Sequence, residues 1–159
     1  MTPHASTAFG PQSAGGEELD GLLTRLLEEV PAIRSVAVVS ADGLLLLSSE
    51  PRDGEVAAPG PRGGPRGSSA DLATIVSGLG SLTAGAARLM DGGVVRQTMV
   101  AMDDGTLFVT SISDGSLLGV HADADCDTEA VAYHSALFVS RAGHVLTPEL
   151  RADLGVAVR

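Results

Sequence analysis

Residues 94–124 read VVRQTMVAMDDGTLFVTSISDGSLLGVHADA. Three apolar, β-branched runs (VVRQTMVAM, TLFVTSIS and SLLGVHADA) are broken at Asp104-Gly105 and Asp114-Gly115. Short runs of this kind, punctuated by Asp-Gly pairs, predict strands joined by tight hairpins, because glycine accepts the positive φ that such turns demand. The stretch therefore predicts a three-stranded antiparallel meander, and that prediction sets the class. A sheet must bury a face, so the rest of the chain has to supply what covers it.

Working outward, the flanks supply helices and two more strands. In EELDGLLTRLLEEVP, Leu19, Leu22, Leu23, Leu26, Leu27 and Val30 follow i, i+3, i+4, i+7, i+8, i+11, the spacing of one helical face, and Pro31 helps to stop the helix. SVAVVSADGLLLLSS predicts strands over about 34–40 and 44–49 around a type I′ turn at Asp42-Gly43. Residues 51–69 are dense in Pro and Gly and predict a long flexible loop. A second helix is expected over about 70–91, with Ser69 as N-cap and Gly92 at its C-terminal stop. Its apolar face is read as Leu72, Ile75, Val76, Leu79, Leu82, Thr83, Ala86, Leu89 and Met90. A third helix is expected over about 127–142, ended by Gly143, and Thr147-Pro148 opens a short terminal turn. The class is α+β: a five-stranded antiparallel sheet with helices on its faces, in the order helix-strand-strand-helix-strand-strand-strand-helix. The expected layout is a disordered tail over 1–17, one domain over 18–151 and a C-terminal tail over 152–159.

The totals narrow the function. The chain has 159 residues, net charge −10, ten Arg and no Lys. An acidic chain without a basic stripe is a poor fit to nucleic acid or to an anionic membrane surface. The N-terminus carries no basic, apolar signal pattern, and no apolar run is expected to reach the ~20 residues of a membrane span, so a cytoplasmic protein without direct membrane insertion is expected. Cys126, the single cysteine, excludes an intramolecular disulfide.

The densest polar cluster, HADADCDTEA at 121–130, reads as a strand-to-helix junction. His121, Asp123 and Asp125 alternate as on a strand face, but no further ligand group completes a metal site and the spacing is not that of a calcium loop. His134 lies roughly 12 Å along a helix from Cys126, too far to serve as its base. Leu118, Val120, Ala122 and Ala124 read as the inward face of a strand, His121 and Asp123 as its other face, and Asp125 or Asp127 as the cap of the third helix. No catalytic constellation, phosphate loop or dinucleotide pattern is present, and no cofactor is called for.

The second helix is the informative surface. Opposite its apolar face lie Thr74, Ser77, Gly78, Ser81, Ala84, Gly85 and Arg88, where an ordinary solvent face would carry Glu and Lys. Gly78, Gly80 and Gly85 each cost about 1 kcal/mol against Ala in a helix interior. A close helix-to-helix contact would offset that cost, and a symmetric dimer is the commonest way to make one.

Two stretches, LLTRLLEEVPAIRSVAVVSADGLLLLSS and GTLFVTSISDGSLLGVHADADCDTEAVAYHSALFVSRAGHVLTPELR, resemble the roadblock/dynein-light-chain domain, most closely the short actinobacterial roadblock proteins of conservon operons. The resemblance spans about residues 19–151. It implies a homodimer joined through the second helix and the third strand into a ten-stranded sheet, which adds Val94, Arg96 and Thr98 to the expected interface. It also implies a non-enzymatic adaptor that binds a small Ras-like GTPase or a sensor-kinase-like membrane protein, recruited to the membrane by such partners. Any effect on GTP hydrolysis would come from positioning the partner's own groups, or from Arg88 or Arg96 acting in trans. The 51–69 loop is longer than the family pattern. The competing reading is a ligand-sensing α+β module with a dry pocket between helix and sheet.

Overall fold

The meander forms, and its hairpins set its register. In the computed structural model, which describes residues 14–49 and 67–157, β3 (Gln97–Met102), β4 (Gly105–Ser111) and β5 (Leu117–Ala122) are consecutive antiparallel strands. With β1 (Ile33–Val39) and β2 (Leu45–Ser48) they make one five-stranded sheet in the order β2-β1-β5-β4-β3. The helices are α1 (Ala14–Glu29), α2 (Gly67–Leu89), α3 (Thr128–Val145) and α4 (Pro148–Ala157). The α+β class and the antiparallel five-stranded sheet are as the sequence predicts.

The sheet is covered on both faces. On one side α1 and α3 pack together, burying Leu19, Leu23, Leu26, Val36, Val38, Phe108, Leu118, Val120, Val131 and Phe138. On the other, α2 alone buries Leu72, Ala73 and Val76 against Ala37, Val39, Leu107 and Val109. Strands covered on both faces lose the strict in/out alternation of a half-exposed sheet, which is why β4 is buried along nearly its whole length.

Several boundaries and turns differ from expectation. Residues 14–17 belong to α1, and residues 67–69 of the expected loop are the first turn of α2, which puts Ser69 inside the helix. The rest of that loop and of the N-terminal tail lies outside the described residues. The expected C-terminal tail is helical to Ala157: Thr147 Oγ1 accepts from Leu150 N at 3.2 Å, and α4 seats Gly155 against Leu44. α3 runs through Gly143, whose missing side chain lets the helix approach Ser113. At Asp42-Gly43 and Asp114-Gly115 only the glycine has positive φ, so neither turn is type I′. In each, the glycine N–H bonds the carbonyl three residues back, and the strand resumes after the left-handed glycine. At the end of α2, Gly92 N bonds Ala87 O at 2.8 Å, but it is Asp91 that takes the left-handed conformation, at φ 51°.

Candidate protein interface

The HADADCDTEA cluster comes apart in the structure. His121 sits on the α2 side of β5, paired with Leu107. Burial lowers its pKa first, the neighbouring Arg34 lowers it further, and Asp123 partly opposes both. Asp123 is ion-paired to Arg34, which also donates to Asp104 O at 3.3 Å. Asp127 is the N-cap of α3, its carboxylate accepting from Glu129 N at 3.1 Å and Ala130 N at 3.2 Å. Leu118, Val120 and Ala122 are buried as predicted, whereas Ala124 lies beyond the strand and is exposed. Cys126 packs half-buried against the α1/α3 core. His134 contacts Glu29 of α1 at 3.0 Å. Among the described residues no group of three or more His, Cys, Asp or Glu stands close enough to hold a metal.

The second helix is turned differently from its expected orientation. Two glycines fix it. A Cβ at Gly119 would overlap Val76, and a Cβ at Gly80 would overlap Leu117. Val76 therefore drops into the sheet at Gly119 while Leu117 rises into the helix at Gly80. This interlock points Leu72, Ala73 and Val76 inward and carries Ile75, Leu82 and Leu89 outward, where they are 52%, 72% and 88% exposed. Ile75, Leu82, Leu89 and Met90, expected in the core face, are corrected to the outer surface.

Of the small residues expected to face a partner, Gly78 and Gly85 do face open space, with nothing within 4 Å of where a methyl group would stand. Thr74, Ser81, Ala84 and Arg88 are exposed, while Ser77 turns toward the β1–β2 hairpin, next to Gly43. Gly80 is compensated by its own sheet. Val94 and Arg96 are exposed but precede β3, which begins at Gln97 rather than Val94; Thr98 is in the strand and half-buried.

The outer surface is thus apolar as well as small. Ile75, Leu82 and Leu89 recur every seven residues, the spacing of a seam that lies along another helix, and Gly78 and Gly85 sit beside them at the alternate seam positions. Met90, Val94 and Met102 are further exposed apolar residues on the connector and β3, and Met99, paired with Phe108, is exposed on the opposite, α1/α3 face of the sheet. β3 is the sheet edge, and among the described residues no strand lies beyond it. Sequence reasoning missed the large residues because a helix with apolar groups on two sides gives no single wheel solution.

Between the C-terminal half of α2 and strands β3 and β4 runs an open cleft of about 430 Å³, whose walls include Ser77, Ser81, Ala84, Arg88, Val94 and Thr98. Six of the ten predicted interface residues therefore meet in one feature. Other hydroxyls there are committed internally: Thr83 Oγ1 donates to Leu79 O at 2.7 Å, and Ser111 Oγ donates to Val95 O at 2.7 Å. By length and composition Asp71–Leu89 also matches a membrane span, contrary to the expectation that no run would, yet its inner side is packed on the sheet.

The fold has counterparts among solved structures. The Roadblock/LC7 domain profile matches residues 61–122. A Roadblock/LC7 domain from Streptomyces avermitilis is 32% identical, with a TM-score of 0.63 over 77% of this chain and 92% of that one. The gliding protein MglB from Thermus thermophilus is similar in fold, with a TM-score of 0.67 and 21% identity over 83% of this chain and 90% of that one. MglB from Myxococcus xanthus has a TM-score of 0.66 and 16% identity, covering 80% of this chain and 94% of that one. No curated protein sequence matches the chain. The 32% identity, sustained over nearly the whole length of the Streptomyces domain and joined to the same sheet and helices, makes this chain a member of the Roadblock/LC7 domain family.

Proposed function

We propose that the chain is a non-enzymatic homodimeric adaptor in bacterial signalling. Two protomers join through α2 and β3, and the assembled dimer engages a small Ras-like GTPase or a sensor-kinase complex of the conservon type. It acts in the cytoplasm and reaches the membrane only through such partners.

The observation that carries this reading is the exposure of Ile75, Leu82 and Leu89 along one side of α2, with Met90, Val94 and Met102 following on the connector and on the open edge strand β3. Soluble monomers rarely leave such a patch uncovered, and an open edge strand invites pairing with another chain. A second copy satisfies both needs with one symmetry operation. The same packing argues for an interface helix over a membrane helix, because Leu72, Ala73 and Val76 hold α2 on its own sheet. Family membership supports a GTPase or kinase complex as the partner. One MglB structure shows a tetrameric arrangement, in line with assembly being part of how such domains work.

The ligand-sensing alternative has one observation in its favour, the open cleft beside α2. Two of its five lining hydroxyls, those of Thr83 and Ser111, are committed to backbone carbonyls, and its walls include residues of the proposed dimer surface.

The test has two arms. Light scattering on the purified chain gives a dimer mass, and Leu82→Glu or Gly85→Glu shifts it to a monomer. Capture of small GTPases from native-cell extract, with GTP-analogue and GDP loading compared, gives nucleotide-dependent retention. A monomeric wild-type chain, or a dimer indifferent to both substitutions, refutes the interface; a dimer that retains neither a GTPase nor a kinase refutes the role.

A further inference from the structure

The α1/α3 side of the sheet has a bare shelf. Among the described residues, the core on that side draws side chains from α1, α3, α4 and strands β1, β2, β4 and β5, and none from β3. Cross-strand pairing puts Gln97, Met99 and Ala101 on this side, opposite Thr110, Phe108 and Thr106. All three are exposed, Met99 to 55%. α3 is the wall of the shelf. Val131, Ser135, Phe138 and Ala142 face the sheet, and His134, Leu137 and Arg141 turn toward α1. At about 3.6 residues per turn the flank left over is Ala132, Ala136, Val139 and Gly143. Gly143 fixes its direction, because it approaches Ser113 just beyond β4. A helix of about 10 Å diameter can therefore lie over β3 and pack closely against α3.

Two further observations bear on the occupant. One end of the shelf is acidic. Asp103 and Asp104 form the β3–β4 turn, and Arg34 ties Asp104 O to Asp123, which brings the start of α3 alongside. Asp103, Asp104, Asp125 and Glu129 are exposed there, and none belongs to an ion pair among the described residues. Toward the other end lies Thr110, the cross-strand neighbour of Gln97. It is buried, and its Oγ1 has no hydrogen-bond partner among the described residues; the same holds for Ser135 Oγ on the sheet-facing side of α3. A buried hydroxyl left unpaired is costly, and the protomer's own elements do not offset that cost.

We propose that this shelf seats an amphipathic helix of a partner protein, with Lys or Arg at the end that meets Asp103 and Asp104. Apolar residues on one helical face cover Met99 and Ala101. The cations complement the four carboxylates, and a polar side chain at the far end reaches Thr110. A second copy of this chain is the wrong occupant: none of its described helices joins an apolar face to a run of cations, and the chain carries net charge −10. An anionic lipid surface is repelled by the same carboxylates. The site is independent of the α2/β3 dimer proposed above, because edge pairing uses backbone groups and leaves this face of β3 uncovered.

Photocrosslinking in the native cell tests the proposal, with Met99→p-benzoylphenylalanine in the full chain. The expected product is a covalent adduct with another protein. Its crosslinked segment, read by mass spectrometry, has apolar residues at helical spacing and Lys or Arg at one end. Asp103→Asn with Asp104→Asn is expected to lower the yield about fivefold, and Glu129→Gln about twofold. Glu28→Gln, on the exposed side of α1, leaves it unchanged. Thermal unfolding of each variant separates lost docking from lost fold. An adduct only with a second copy of the chain overturns the proposal. So does an adduct with an acidic or extended segment, a yield indifferent to the carboxylate substitutions, or no adduct from Met99. Leu82→p-benzoylphenylalanine reports on the α2 dimer in the same cells, so the two readings fail separately.

Discussion

Leu82→Ala separates an interface residue from a core residue by magnitude. Leu82 is 72% exposed in the protomer, at the middle of the Ile75–Leu89 seam. Leu→Ala removes about three carbons, roughly 2.4 kcal/mol of transfer free energy at about 0.8 kcal/mol per carbon. Scaled by the 72% available to be covered, that is about 1.7 kcal/mol per copy, and about 3.5 kcal/mol for the dimer because a twofold interface contains the residue twice. The dimer dissociation constant should rise about 300-fold. The protomer should hardly notice, since an exposed helix position changes stability by about 0.5 kcal/mol or less. Sedimentation equilibrium over a concentration series measures the first quantity, and thermal unfolding at a concentration below dissociation measures the second. Val76→Ala, at a position wholly buried under α2, provides the opposite pattern: a less stable protomer, by about 2 kcal/mol for a buried truncation. If Leu82→Ala lowers protomer stability as Val76→Ala does, α2 is oriented as the helical wheel suggests and the two glycines do not set its rotation. If it changes neither quantity, Leu82 belongs to no interface with a second copy.

Three further outcomes follow from the geometry. Gly119→Ala should destabilise the protomer by about 1–3 kcal/mol, because its methyl overlaps Val76, whereas Gly78→Ala should stabilise it by up to about 1 kcal/mol while weakening the dimer; chemical denaturation and sedimentation read the two effects. Asp127→Ala should cost about 1 kcal/mol in urea unfolding, because two N–H groups at the start of α3 lose their acceptor; no change would mean that water replaces the cap at no cost. His121 has a folded pKa below its ordinary value of 6.5, so between the two values the unfolded chain binds the extra proton and stability falls as pH drops through that window. His121→Asn should flatten that part of the stability–pH profile, and profiles parallel to wild type would refute the assignment.

How much of this was legible in the sequence depends on how many faces each element buries. α1 has one wet face, so its leucine spacing named Leu19, Leu23, Leu26 and Val30 correctly. The hairpins were legible because Asp-Gly pairs lie at their turns, although the turn geometry was not: at Asp42-Gly43 and Asp114-Gly115 only the glycine has positive φ, and at Asp104-Gly105 the turn falls one residue earlier, on Asp103-Asp104, with Gly105 already paired to Met102 in β4. The cap of α3 was legible only as Asp125 or Asp127, because both carboxylates precede the helical run at nearly the same place; the structure selects Asp127. Gly143 was misread as a stop because a glycine needed for close approach looks the same in sequence as one needed at a helix end.

α2 marks where periodicity stops being sufficient. Its apolar residues fall into two sets, Leu72, Ala73 and Val76 on one side and Ile75, Leu82 and Leu89 on the other, about 100° or more apart on the wheel. Either set alone makes a credible core face, and the larger residues belong to the second. The choice is made by residues outside the helix: Gly119 receives Val76, and Gly80 admits Leu117 from the strand below. A β-branched residue seated on a strand glycine packs at a distance that no other rotation of the helix allows. The largest side chains are then driven out onto the surface. Rotation of this one helix is therefore set by two small residues, and it converts what reads as core into exposed apolar surface.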